Sequence, residues 1–193
     1  MDIQASAAQR QATVMPLMQF VSGAHRVAEL CDLLEALADD LPRKATPVWR
    51  EAVRLSVTVV PEHIKEMTCI LLPVLRQRTK GDALCEAVLR RVQTDYDESR
   101  STLPELTELL EQSAVNSTPG MTPEALGFAL RGHFEMIRRH IGWETDVVLP
   151  LAKSRLTDTD LRAISNSIIM LQDGVGSEVV LLASSQQKGR KQS

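Results

Sequence analysis

Apolar residues recur at three- and four-residue spacing through most of the chain, the period of a helix with one buried face. From about 16 to 41 they are Leu17, Phe20, Val27, Leu30, Leu34 and Leu37, and the pattern stops at Asp39-Asp40-Leu41-Pro42, where proline cannot continue a helix. A second helix is predicted from Thr46-Pro47 to about Thr79, with threonine as N-cap and proline in the first turn, and Lys80-Gly81-Asp82 closes it. Pro61 lies within it, two residues before His63, so a kink or local break is expected there. The third, about 82 to 115, carries Leu84, Val88, Leu89, Val92, Tyr96, Leu103, Leu106 and Leu110, with a bend expected at Pro104. Asn116-Ser117-Thr118-Pro119-Gly120-Met121 reads as a loop. Thr122-Pro123-Glu124 then caps a fourth helix that extends past His140 to about 153 or 156.

A shorter fifth helix follows Thr157-Asp158-Thr159-Asp160, with Leu161, Ile164, Ile168 and Leu171 as its stripe. The β-branched run Val57-Thr58-Val59-Val60 is the best strand candidate, but it sits inside a longer helical pattern. The predicted fold is therefore all-α: an antiparallel up-and-down four-helix bundle with a short extra C-terminal helix. Residues 1–15, small and polar, are expected to be a flexible N-terminus, 16–173 the bundle, and 174–193 a polar tail.

Composition narrows the function classes. At 193 residues the chain is long enough for one core. A net charge of -3 and a pI near 5.8 give no basic field for nucleic acid. No apolar run approaches the roughly 20 residues of a membrane span. The lone basic run, Lys188-Gly189-Arg190-Lys191, reads as a solvated end. Cys31, Cys69 and Cys85 are odd in number and lack C-x-x-C spacing, which fits buried thiols in a reducing compartment. With no secretory leader at Asp2 to Arg10, the expected location is the cytoplasm.

The chemistry concentrates in a stretch written twice. Residues 63–73 read His63-Ile64-Lys65-Glu66-Met67-Thr68-Cys69-Ile70-Leu71-Leu72-Pro73, and residues 140–150 read His140-Ile141-Gly142-Trp143-Glu144-Thr145-Asp146-Val147-Val148-Leu149-Pro150. In the second copy His140 and Glu144 stand four apart, one above the other on a helix face. That pairing suits a metal ion; in the first copy Met67 stands where the carboxylate belongs. The four histidines, His25, His63, His133 and His140, all fall on predicted helices, and facing helices are a common way to build such a site. Taken singly, a helical histidine is more often a surface or satisfied core residue than a ligand.

These stretches, with Gly23-Ala24-His25-Arg26-Val27-Ala28-Glu29-Leu30-Cys31 on helix one, resemble hemerythrin-like (HHE cation-binding) proteins over about residues 16 to 156. The resemblance implies a four-helix bundle with a histidine on each helix, holding two irons through these histidines and two bridging glutamates, in proteins that bind oxygen, sense oxygen or iron, or handle iron and peroxide. His25, His63, His140 and Glu144 match that pattern. Two positions depart from it: Met67 replaces a glutamate, and Tyr96 replaces a histidine. With one bridge and one imidazole gone, a charged metal pair is poorly compensated in a bundle core, and a single non-heme iron becomes the expected cofactor. Its expected ligands are His25, His63, His140 and Glu144, with Tyr96 as a phenolate or as a core phenol bonded to His25 or His140. His133, Glu66 and Glu98 are the side chains near enough in sequence to compensate. Two functions follow: a metal-binding module for oxygen, peroxide or redox sensing, or a metal-free bundle that acts through a partner or as a homodimer. Nothing in the sequence supplies a substrate pocket, so an enzyme is the weakest reading.

Overall fold

The computed structural model describes residues 2–42, 46–115 and 121–172, with side chains for 16–42, 47–113 and 121–172. Among these residues every regular element is helical and no strand occurs. Counting each π-helical turn with the helix it interrupts, there are five helices: α1 (Asp2–Asp39), α2 (residues 46–78), α3 (Ala83–Val115), α4 (residues 123–155) and α5 (Asp158–Gln172). No helix among the described residues is long and apolar enough to cross a membrane. The expected tail at 174–193, with its basic run, and most of the 116–121 loop lie outside the described residues.

The cap predicted at Thr122 forms. The Thr122 side chain accepts from the Ala125 amide ahead of α4, with Pro123 in the first turn. At α5, Thr157 and Asp160 cap each other reciprocally: Thr157 Oγ1 accepts from the Asp160 amide, and Asp160 accepts from the Thr157 amide. This satisfies two amide groups that a helix start otherwise leaves unpaired. Between α2 and α3 the chain turns at Gly81, whose φ of 87° lies in the left-handed region that glycine adopts without strain.

Two expectations change at the N-terminal side. Helix α1 begins at Asp2 rather than near 16 and continues through Pro16. Ala5, Ala7, Ala8 and Ala12, interspersed with glutamine and Arg10, are strong helix formers that carry the turn pattern upstream. The strand candidate at 57–60 is helical and lies within α2, with Val57 and Thr58 exposed and Val59 and Val60 buried.

The expected break at Pro61 is replaced by a π turn. Three such turns occur, at Leu55–Val59, Met67–Leu71 and Glu144–Val148, and each is followed two residues later by a proline: Pro61, Pro73 or Pro150. Proline lacks an amide hydrogen and its ring collides with the carbonyl four residues back. Widening the preceding turn by one residue relieves both problems. The amides of Val60, Leu72 and Leu149 accordingly bond five residues back, to the carbonyls of Leu55, Met67 and Glu144. In both copies of the repeat the threonine completes the turn: Thr68 Oγ1 donates to the Ile64 carbonyl at 2.7 Å, and Thr145 Oγ1 to the Ile141 carbonyl at 2.9 Å.

Side-chain contacts fix how the helices sit. On α1 and α4, Asp39 meets Arg131, while Asp32 and Glu35 meet Arg138. Gln19 of α1 meets Glu66 of α2. On α2 and α3, Ser56 pairs with Thr107, Thr68 with Arg100, and Arg76 with Gln93. On α3 and α4, Ser99 pairs with His140, Tyr96 with Glu144, and Asp82 with Arg155. Across the α1–α4, α2–α3 and α3–α4 contacts, numbers rise on one side as they fall on the other. Helix α5 packs on α1 and is tied to the end of α2 by the two-pronged Arg78–Asp160 contact. One apolar core runs through all five helices, with Phe20, Leu34, Trp49, Leu71, Leu106, Leu130 and Ile164 essentially inaccessible.

The hydroxyl bonds give a direct check on the turns. Thr68→Val and Thr145→Val are each expected to lower unfolding free energy by about 1 kcal/mol, measured by urea denaturation at unchanged m-value. Two neutral substitutions would show that the threonines do not support the π turns.

Candidate functional site

Inside the core, His63 and Tyr96 meet at Glu144. This carboxylate is the first residue of the π turn in α4 and has 0% exposure. Its Oε2 accepts the Tyr96 phenol at 2.7 Å and stands 2.9 Å from His63 Nε2. His140, one helical turn before Glu144, lies edge-on to Tyr96 with ring centroids 4.1 Å apart, and its Nδ1 is 3.5 Å from Ser99 Oγ. Four of the five predicted site residues, His63, Tyr96, His140 and Glu144, are thus brought together from α2, α3 and α4.

The fifth, His25, is not among them. It is exposed and lines a surface groove with Leu17, Val21, Leu149 and Leu161. The inward residues of that turn are Gly23 and Ala24. Gly23 seats His63: a β-carbon there would collide with His63 Nδ1, so only glycine lets the ring lie against α1. Met67 occupies the position in its π turn that Glu144 occupies in the other, and is likewise fully buried. The repeat therefore keeps its register, with a thioether where the second carboxylate stands in the family pattern. Of the three compensating side chains, Glu98 is exposed and Glu66 turns to Gln19 at a surface cleft. Half-buried His133 shares with His63, Tyr96, Ser99 and His140 an internal cavity of about 20 Å³, room for one water-sized particle.

Protonation follows from burial. Burial, then the Glu144 charge, then the hydrogen bond to it push the Tyr96 phenol well above its ordinary range. It is held as a proton donor, and its partner is Glu144 rather than His25 or His140. Burial lowers His140, with Glu144 and Asp95 opposing, and lowers His133 against Glu105.

Three buried atoms of the cluster have no hydrogen-bond partner: His63 Nδ1, His140 Nε2 and Glu144 Oε1. An iron centre needs such donors aimed at one point. Here His63 and Tyr96 both address the same oxygen of Glu144, and the third imidazole, His25, is at the surface. Among the described residues no group of three His, Cys, Asp or Glu is placed to hold a metal ion. As arranged, Tyr96, Glu144 and His63 form a buried hydrogen-bonded chain that meets at Glu144 Oε2. Ser99 and Gly23 were not singled out from sequence. Ser99 follows Tyr96 by one helical turn, the only signal that it shares the inner face.

No protein-family model matches the chain, and no curated protein or solved structure matches it either.

The shifted groups set a pH profile. Below the ordinary histidine value of 6.5 the unfolded chain takes up protons at His133 and His140 that the fold resists, so stability falls as pH falls. Above the ordinary phenol value of 10.0 the unfolded chain releases the Tyr96 proton that the fold retains, so stability falls as pH rises. Urea midpoints across pH are expected to show both declines. Midpoints unchanged below 6.5 would contradict the burial of these imidazoles.

Proposed function

We propose that the chain is an antiparallel four-helix bundle of hemerythrin-like architecture, with α5 as the extra helix, whose centre is closed by hydrogen bonds and works without metal as a regulatory or interaction protein. One observation carries this reading: His63 Nε2 and the Tyr96 hydroxyl both meet Glu144 Oε2. Two groups that would otherwise be ligands instead compensate the carboxylate that would have to bridge or bind the ion. With Met67 in the second carboxylate position and His25 outside, the family's anionic charge and imidazole number are both reduced. The residual cavity is too small to serve a substrate, which favours a non-enzymatic role.

A second reading is supported by the unpartnered Glu144 Oε1 and His140 Nε2. A buried oxygen and a buried imidazole nitrogen are donors for one non-heme ion. In that case His140 and Glu144 would hold it, with His63 or Tyr96 turned from their present bonds, and the ion would supply oxygen or peroxide binding.

Anaerobic Fe(II) loading followed by metal analysis and visible spectroscopy separates the two. The expected result is iron well below one per chain and no charge-transfer band; one tightly held iron per chain establishes the second reading instead. Met67→Glu combined with Tyr96→His rebuilds the family pattern on α2 and α3. Because His25 lies at the surface, that variant is expected to hold fewer than two irons per chain, and two would show that α1 can rotate His25 inward.

A further inference from the structure

A cleft of about 520 Å³ opens between α1, α2 and the end of α5. His63 forms part of its floor, where its Nδ1 edge lies beside Gly23, while its opposite edge reaches Glu144 in the core. His63 is 3% exposed and Nδ1 has no partner. With Nε2 directed to a carboxylate, the ring's other nitrogen lies sealed against Gly23, which itself lines the cleft. The walls carry both signs of charge: Arg26 and Lys65 on one hand, Glu62 and Glu66 on the other. Gln19 donates to Glu66 Oε1 at 2.9 Å, which fixes that carboxylate at the cleft rather than in the core. Clefts of this size with a few convergent polar groups are the usual form of small-ligand sites.

We infer that this cleft binds a small zwitterion of the α-amino acid class, its ammonium held by Glu62 and Glu66 near His63 and its carboxylate by Arg26 and Lys65. A simple anion would face the two glutamates and a simple cation the arginine and lysine; a ligand bearing both charges meets each with its complement. Occupancy would press on Gly23 and on the imidazole behind it, whose inner edge meets Glu144. The cleft is thereby an input to the buried network, the element a metal-free regulatory bundle requires. This geometry does not depend on metal content, so failure of the ligand leaves the iron-loading result standing, and the reverse.

The test uses the full chain with its histidine side chains followed by ¹H–¹⁵N NMR. The twenty standard α-amino acids are added singly to about 10 mM. At least one is expected to move the His63 resonances saturably. Its decarboxylated amine and its deaminated acid are expected to bind about tenfold more weakly or worse. Arg26→Gln and Glu66→Gln, at exposed and half-buried wall positions, are each expected to weaken binding by a similar factor with the histidine spectrum of the free protein retained. The inference is overturned if no amino acid moves His63, if the amine or the acid alone binds as tightly, or if both variants bind like the parent.

Discussion

A carboxylate with no solvent access must be compensated or it will not stay folded inside, because an unpaired buried charge costs several kcal/mol. In this chain that carboxylate is Glu144, and its compensation is distributed over the bundle. Helix α2 supplies His63, α3 supplies Tyr96, and α1 supplies Gly23, the small residue that lets the imidazole reach across. Each of these side chains has its own neighbours fixed in turn: Tyr96 against His140, and His140 against Ser99. The apolar core provides most of the driving force, but it is indifferent to small rotations of a helix. The Glu144 contacts are directional, and they set the rotation of α2, α3 and α4 about their axes.

The repeated stretch has two separable meanings. Its histidine and carboxylate positions carry chemistry; both copies keep the histidine, and the carboxylate position differs, Met67 against Glu144. Its Ile, Thr and Leu-Pro positions carry backbone geometry, and these are the same. Each copy builds a π turn that begins at the fourth residue after the histidine, bonds the leucine amide five residues back, and ends in a proline. The threonine hydroxyl bonds the isoleucine carbonyl in both. The repetition of the Ile, Thr and Leu-Pro positions is thus accounted for by helix geometry, and does not require that both copies bind an ion. π turns often mark functional positions, and here they seat Glu144 and Met67 at equivalent points of the core.

The helical class, the approximate ends of α2 to α5 and the cap at Thr122 were legible because they depend on local spacing and local hydrogen bonds. So was the meeting of His63, Tyr96, His140 and Glu144, since all four lie on apolar stripes at similar heights. The placement of His25 was not. Ala24 and His25 differ by about 100° of helix rotation, and which of them faces inward depends on Gly23 packing against a residue far away in sequence. The π turns were also hidden, because one extra residue per turn only blurs a 3.6-residue period. At the N-terminal side, polar composition suggested fraying, whereas the alanine-rich backbone propensity extends α1 to Asp2.

The central claim, as proposed, is that Glu144 is compensated by His63 and Tyr96 at one oxygen and holds no metal ion. A ligand that binds the folded state raises its melting temperature in proportion to the logarithm of its saturation. Thermal unfolding of the full chain should therefore be compared after chelator treatment and after anaerobic addition of Fe(II). Coincident melting curves are the predicted result; an iron-dependent rise of several degrees, reversed by chelator, would contradict the account.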